Sequence, residues 1–338
     1  MGEVTTIGLD IAKSVFQVHG IDAAGTVLVQ RKLTRARLRP FFEKLPPCLV
    51  GIEACATAHH WARELKSLGH EVRLLPPAYV KPYVKRQKND MADAEAICEA
   101  VTRPTMRFVE VKSPEQQGVL VLHRTRQTLI RQRTQISNAI RGHMAEFGVV
   151  APVGREGLQR LIGDLRSDGP IPAAARSCLL MLADQLRLVN AQVLEADRAI
   201  MAAVRASETA RRLMSVPGVG PLLASALIAA VPDPHAFRSG RNLAAWIGLV
   251  PRQNSSGGKE RLGGITKAGD RYLRQMLVVG AMAVIRHAQR HGTKRAWVLQ
   301  LMARRTTKVA AVALANKTAR TVWALMATGE AYREPHAA

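Results

Sequence analysis

Three short runs within residues 4–33 (4–9, 14–21 and 26–33) alternate apolar and polar residues with a period of two. Asp10-Ile11-Ala12-Lys13 and Gly20-Ile21-Asp22-Ala23-Ala24-Gly25 supply the turns between them. Such a meander can only become the antiparallel part of a sheet. The pattern then changes to strand–helix alternation: a helix from about residue 34, a strand at 49–52, a helix at 57–68 and a strand at 71–75. A short helix follows Pro76-Pro77, and a further helix carries Asp90 and Asp93. Meander plus alternation predicts an α/β domain with a mixed sheet.

Beyond Ser113 the strand signal stops. Pro114 suits the first position of a helix, and over the next thirty or so residues only Gly118 and Gly142 interrupt the helix formers. Val119, Leu122, Leu129, Ile136 and Ile140 approximate a heptad seam broken by Arg126 and Arg133. A second long helix is expected over 173–206, with the stripe Leu182, Leu186, Val189, Val193, Ala196 and Ile200. The pair can form an antiparallel hairpin, a dimerising coiled coil, or two helices of an ordinary bundle. Residues 148–172 between them are rich in Gly and Pro. From residue 212 a mainly helical region runs to about 328, with a frayed tail beyond. Three domains are therefore expected: 1–112, 113–206 and 207–330.

Lys and Arg number 49 against 26 Asp and Glu, a formal charge of +23. That imbalance repels itself unless a polyanion neutralises it, which points to nucleic acid. Aromatics are only 4% of the chain, which disfavours a binder built mainly on base-stacking platforms. Cys48, Cys55, Cys98 and Cys178 show no metal-finger spacing and read as buried thiols of a reducing compartment. No signal peptide or membrane-length apolar run is visible, so a soluble cytoplasmic protein is expected.

Within this basic chain four acids stand at marked places. Asp10 and Glu53 end predicted strands, while Asp90 and Asp93 lie one helical turn apart. Singly, each reads as a cap or turn residue. Together they suit a site for hard divalent cations, with a phosphate completing the shell. Ser255-Ser256-Gly257-Gly258 sits among Arg252, Lys259, Arg261, Lys267, Arg271 and Arg274. It reads either as a phosphate-gripping loop or as a nucleophile whose attack the cations assist. Lys85, Arg86 and Lys88 form a second basic run fit for nucleic acid. His59-His60 are adjacent on a helix and cannot readily share one ion. Val216-Pro217-Gly218-Val219-Gly220 has the helix-hairpin-helix pattern, in which freed backbone N–H groups meet phosphate.

These motifs resemble a known family. Ile7-Gly8-Leu9-Asp10, Gly51-Ile52-Glu53-Ala54-Cys55 and Asn89-Asp90-Met91-Ala92-Asp93-Ala94 are similar to the DEDD domain of insertion-sequence transposases of the IS110 family and its IS1111 subgroup. The proline–glycine turn at 216–220 and the stretch from Ser256 to Arg274 resemble the second domain of the same proteins, also known as bridge-RNA-guided recombinases. Thr266 stands where many relatives have serine. The resemblance implies a RuvC-like (ribonuclease-H-like) domain with Asp10, Glu53, Asp90 and Asp93 holding Mg²⁺. It also implies a coiled-coil segment and a C-terminal transposase domain with a serine nucleophile at Ser256, Ser255 being adjacent. It further implies a structured non-coding guide RNA, donor and target double-stranded DNA, a covalent phosphoserine intermediate, and dimers assembling into tetramers. Two other classes compete: a junction-resolving nuclease that uses water, and a non-catalytic nucleic-acid binder.

Overall fold

A computed structural model describes residues 2–85, 89–165, 169–292 and 296–334. Arg86 and Lys88 of the second basic run, and the last four residues of the tail, lie outside them. The chain divides into two compact units, Met1–Pro114 with Val231–Asp233, and Glu115–Ala230 with Pro234–Ala338.

The first unit holds β1 (Thr6–Ile11), β2 (Val15–Ile21), β3 (Val27–Thr34), α1 (Arg35–Phe42), β4 (Leu49–Glu53), α2 (Ala58–Ser67), β5 (Glu71–Leu75), α3 (Pro77–Val80) and α4 (Asp90–Val101). The strands form one sheet in the order β3-β2-β1-β4-β5. β1, β2 and β3 pair antiparallel, and β4 and β5 run parallel to β1. The mixed sheet follows from the connections: tight turns join the meander, whereas helices return the chain to start β4 and β5 in parallel. Period-two alternation sends Ile7, Leu9, Val50 and Ile52 into a core with Leu38 and Phe42 of α1 and Trp61 and Leu65 of α2.

The opposite face of the sheet carries α4, and two glycines explain how closely it lies. Gly8 and Gly51 are register partners on β1 and β4. A Cβ on Gly8 would stand 2.0 Å from the Ala94 carbonyl oxygen, and one on Gly51 would stand 2.8 Å from Val101 Cβ. Glycine in a strand commonly marks such a close backbone approach. The helix is fixed to the sheet by this contact, with Ile97, Ala100 and Val101 fully buried beside Leu75.

The second unit is mainly helical: α5 (Pro114–Ala145), α6 (Arg155–Asp164), α7 (Ala173–Ala206), α8 (Glu208–Leu213), α9 (Pro221–Ala230), α10 (Gly240–Ile247), α11 (Arg271–His291), α12 (Ala296–Arg304) and α13 (Thr307–Thr328). One small sheet interrupts it, β6 (Pro251–Gln253) with β7 (Leu262–Ile265). Ile136, Ile140 and Met144 of α5 share a core with Leu161 of α6 and Leu179, Leu186 and Val189 of α7. Arg126 pairs with Asp197 further along. The late part of α5 thus meets the early part of α7, so the two helices form an antiparallel hairpin. The predicted α7 stripe is buried from Leu186 to Ile200, with Leu182 half-buried. The early α5 seam is not: His123 is buried where the heptad placed Leu122, which is half-buried.

Gly218 (φ +88°) packs against Gly280 of α11, where an added Cβ would stand 3.0 Å from that residue's carbonyl oxygen. The left-handed backbone and the close packing together account for this glycine, whereas Gly220 faces open space. The cysteine expectation needs correction. Cys48 and Cys98 are buried, but Cys55 and Cys178 are exposed, because each sits on a loop or helix face turned from its core. Among the described residues no helix is long and apolar enough to cross a membrane.

Candidate active site

The glycine contact that seats α4 also places the acids. Asp10 lies two residues beyond Gly8 and Glu53 two beyond Gly51, so both carboxylates emerge on the α4 face at the carboxyl ends of adjacent parallel strands. α4 lies over Gly8 at Ala94 and Cys98, and its first turn, with Asp90 and Asp93, extends toward those strand ends. Asn89, not Asp90, caps the helix: its side-chain oxygen accepts from the Ala92 amide at 2.8 Å. Both aspartates are therefore spared the capping role.

The convergence shows in the protonation of Asp10. Burial, then the charges of Asp93, Asp90 and Glu53, lift its carboxyl from the ordinary 3.8 to about 6, against a lowering hydrogen bond from the backbone at Ile11. Asp10 thus feels the field of the other three acids. Cys55 is exposed as a residue, but its sulfur lies 3.9 Å from the Ile11 carbonyl, and that partial desolvation, with Glu53 and Asp10, pushes the thiol up, which keeps it protonated and a poor ligand. The donor set is oxygen only and crowded with negative charge, which suits a hard divalent cation. Among the described residues no three His, Cys, Asp or Glu side chains are close enough together to hold a metal ion.

The serine stretch, expected as a polar loop, is a β-hairpin. Pro251 pairs with Ile265 and Gln253 with Leu262. Ser256 and Lys259 bridge across its tip, where Gly257 (φ +55°) and Gly258 (φ +75°) both take the left-handed conformation. Two positive-φ residues in a two-residue loop make a type I′ turn, which explains the paired glycines. The two serines differ sharply. Ser255 Oγ accepts from the Arg261 amide at 3.1 Å and so helps hold the hairpin closed. Among the described residues nothing bonds the Ser256 hydroxyl.

The base of this hairpin is clamped. Asp270 caps α11 by accepting from Tyr272 N at 2.7 Å and Leu273 N at 3.0 Å. Arg274 donates from Nη1 to the Ile247 and Ala268 carbonyls at 2.7 Å each, so it staples the hairpin's exit segment to α10. Arg252, Lys259, Arg261, Lys267 and Arg271 are exposed around it. Lys85, in the first unit, is engaged by Glu95 at 2.8 Å and Glu99 at 3.6 Å on α4. His59 accepts from the Lys112 amide, and His60 packs edge-on against Trp61; neither points to metal binding.

One polar node escaped the sequence reading. His123 on α5, 2% exposed, bonds Tyr272 Oη at 3.0 Å through Nδ1 and Ser225 Oγ at 3.1 Å through Nε2. Burial, and then Arg126, lower its pKa to about 4, so the ring is neutral at pH 7. The sequence carried no signal for it, because the heptad placed the apolar Leu122 in the seam, one residue before the buried histidine.

Comparisons with known proteins match two stretches of the chain, the first of which runs past the first unit to include α5. Residues 7–148 match the DEDD transposase family, and residues 210–296 match the family described as Transposase IS116/IS110/IS902. A Pseudomonas aeruginosa protein described as "Probable family 20 transposase" is 49% identical over 98% of this chain and 99% of its own length. The transposase for insertion sequence element IS1328 of Yersinia enterocolitica is 38% identical, with 98% and 99% covered. The transposase for element IS1111A of Coxiella burnetii is 40% identical, with 98% and 92% covered.

Proposed function

Because this chain belongs to the IS110 family of insertion-sequence transposases, we propose that it cuts and rejoins DNA by serine attack, with donor and target selected by a structured non-coding RNA. The observation that carries the reading is the setting of Asp10 at a strand end, where burial and then the charges of Asp93, Asp90 and Glu53 lift its carboxyl to about 6. The strand order β3-β2-β1-β4-β5, with only β2 running against the other four strands, supports a RuvC-like, ribonuclease-H-like domain.

Asp10, Glu53, Asp90 and Asp93 would hold Mg²⁺. When bound, the ion supplies charge neutralisation at the scissile phosphate. The chain does the rest. The type I′ turn presents the unbonded Ser256 hydroxyl at the hairpin tip, while Ser255 keeps that tip rigid. Ser256 Oγ gives up its proton and forms a bond to phosphorus; the bond from phosphorus to one sugar oxygen breaks, and that oxygen leaves as a hydroxyl after taking a proton. Arg252, Lys259 and Arg261 offset the charge that builds on the phosphate oxygens. Rejoining reverses the step with a hydroxyl from the other DNA, so no high-energy cofactor is consumed. Base pairing would read sequence while the basic surface holds shape and backbone, a division that suits a charge of +23. Dimers assembling into tetramers around two DNAs would bring the acids and the serine to one phosphate.

The test is product analysis with guide RNA, Mg²⁺ and both DNAs. The account expects a covalent protein–DNA adduct that Ser256→Ala abolishes and Ser255→Ala only slows. Free 5′-phosphate ends with no adduct would instead indicate a metal-dependent nuclease using water.

A further inference from the structure

The serine hairpin forms one wall of a groove that the chemistry above does not use. β6 and β7 face α13 across it, with Trp297 of α12 and Tyr332 of the tail at its sides. Its volume is about 1240 Å³, above the ~300–1,000 Å³ of small-molecule sites, so it suits an extended ligand. The floor is apolar, from Leu249, Ile265, Val309, Val312 and Ala313. Around it stand four cations, Lys308, Lys317, Arg320 and Arg333, against the single carboxylate of Glu330. Lys317 Nζ sits 4.6 Å from the Trp297 ring centre, one face of an exposed aromatic.

A second observation concerns β7 itself. Gly263 and Gly264 line the groove at the register shift between β6 and β7, and no packed neighbour or left-handed backbone requires either to be glycine. Neither has a left-handed backbone. A Cβ on Gly263 would meet only Arg252, at 3.9 Å, and one on Gly264 would meet nothing within 4 Å. This contrasts with Gly8 and Gly51, where the packed helix explains the missing side chain. Two glycines weaken a strand; one extra residue satisfies the register shift, and bare strand backbone facing a groove also lets a ligand approach closely.

We propose that this groove binds unpaired nucleotides of the DNA strand being processed, bases on the apolar floor and Trp297, phosphates on the cationic rim, and backbone against Gly263-Gly264. Apolar and aromatic surface lined by Lys and Arg is the chemistry that accommodates single strands of any sequence. A protein helix would need an acidic face to match this rim. The groove's wall is the hairpin that carries Ser256, so a strand lying there is held beside the turn that would attack it. The inference deepens the proposed function without needing the serine to be the nucleophile, because binding is read without cleavage.

The experiment measures binding of a fluorescein-labelled single-stranded deoxyoligonucleotide, and of the same strand annealed to its complement, to the full chain. Gly264→Val fills space that the fold leaves open, so its melting temperature should match the unaltered protein. It is expected to weaken single-strand binding at least about tenfold, the effect of one lost stacked base, and duplex binding less than about twofold. Trp297→Ala, which removes an exposed ring, should reproduce this and decides the matter should the glycine variant not fold. Ser256→Ala should bind both probes normally, which separates failure of this inference from failure of the nucleophile assignment. Unchanged single-strand binding in both groove variants would overturn the proposal, as would equal loss for both probes. So would conversion of an oligomer to monomers by Gly264→Val, which would mean a protein occupant, or preference of the groove for a ribo-oligonucleotide by more than tenfold.

Discussion

Replacing Asp10 by Asn should change how the stability of the metal-free protein depends on pH. The folded carboxyl titrates at about 6 against 3.8 for the ordinary group, so the native state holds its proton more tightly than the unfolded chain does. Its contribution is fully present below pH ~4 and is lost as pH rises through about 6. Two pKa units correspond to roughly 3 kcal/mol at about 1.4 kcal/mol per unit. Asp10 is only about half shielded from water, so solvent screening reduces this to about 1–2 kcal/mol. The asparagine has no charge to repel and escapes the loss. Urea unfolding in EDTA, from pH 4 to pH 8, should show the stability of Asp10→Asn gaining about 1–2 kcal/mol on the parent across that range. His123, whose depressed pKa acts in the opposite sense, is common to both proteins and cancels in the difference. Curves that stay parallel from pH 4 to pH 8 would refute the raised Asp10 carboxyl, and with it the buried, acid-flanked setting assigned to that residue.

Other expectations follow from individual contacts. Gly8→Ala would drive a methyl into the Ala94 carbonyl and should destabilise the first unit by about 3 kcal/mol or more, read by urea denaturation. Tyr272→Phe deletes the hydroxyl that bonds His123 and should cost about 1–2 kcal/mol of stability by the same assay. Arg274→Ala should cost about 2 kcal/mol and speed amide hydrogen exchange in the hairpin, because two backbone carbonyls lose a charged donor. Arg261→Ala, exposed at the hairpin, should leave stability within about 0.5 kcal/mol. It should lower the salt dependence of DNA binding by about one unit of slope, measured by titration at several salt concentrations.

The sheet was legible because its strands are short, largely apolar runs bounded by turn residues, which the sequence shows to within two residues of the observed ends. The acids were legible for the same reason: a carboxylate closing an apolar run is conspicuous. What the sequence hid was why they converge. Gly8 and Gly51 are adjacent only once β1 and β4 pair, and only then does their lack of side chains bring α4 down beside Asp10 and Glu53. The α7 stripe could be read because nearly every position in it is buried. Early α5 could not, because a neutral histidine with two hydrogen-bond partners occupies the core there. β6 and β7 are short and mostly exposed, so hydrophobic period carries no signal for them. Their one readable mark was the Gly257-Gly258 pair, which a two-residue hairpin turn requires.

The most direct measurement is the site of the DNA attachment. Protein trapped with guide RNA, Mg²⁺ and both DNAs can be digested by trypsin and nuclease, and the modified peptide fragmented in a mass spectrometer. Cleavage after Arg252 and Lys259 leaves both serines in one peptide, and fragmentation within it assigns the nucleotide to one of them. The account predicts a nucleotide phosphate on Ser256, the hydroxyl that the fold leaves unbonded. Attachment at Ser255, or recombinant DNA formed with this peptide wholly unmodified, would contradict it.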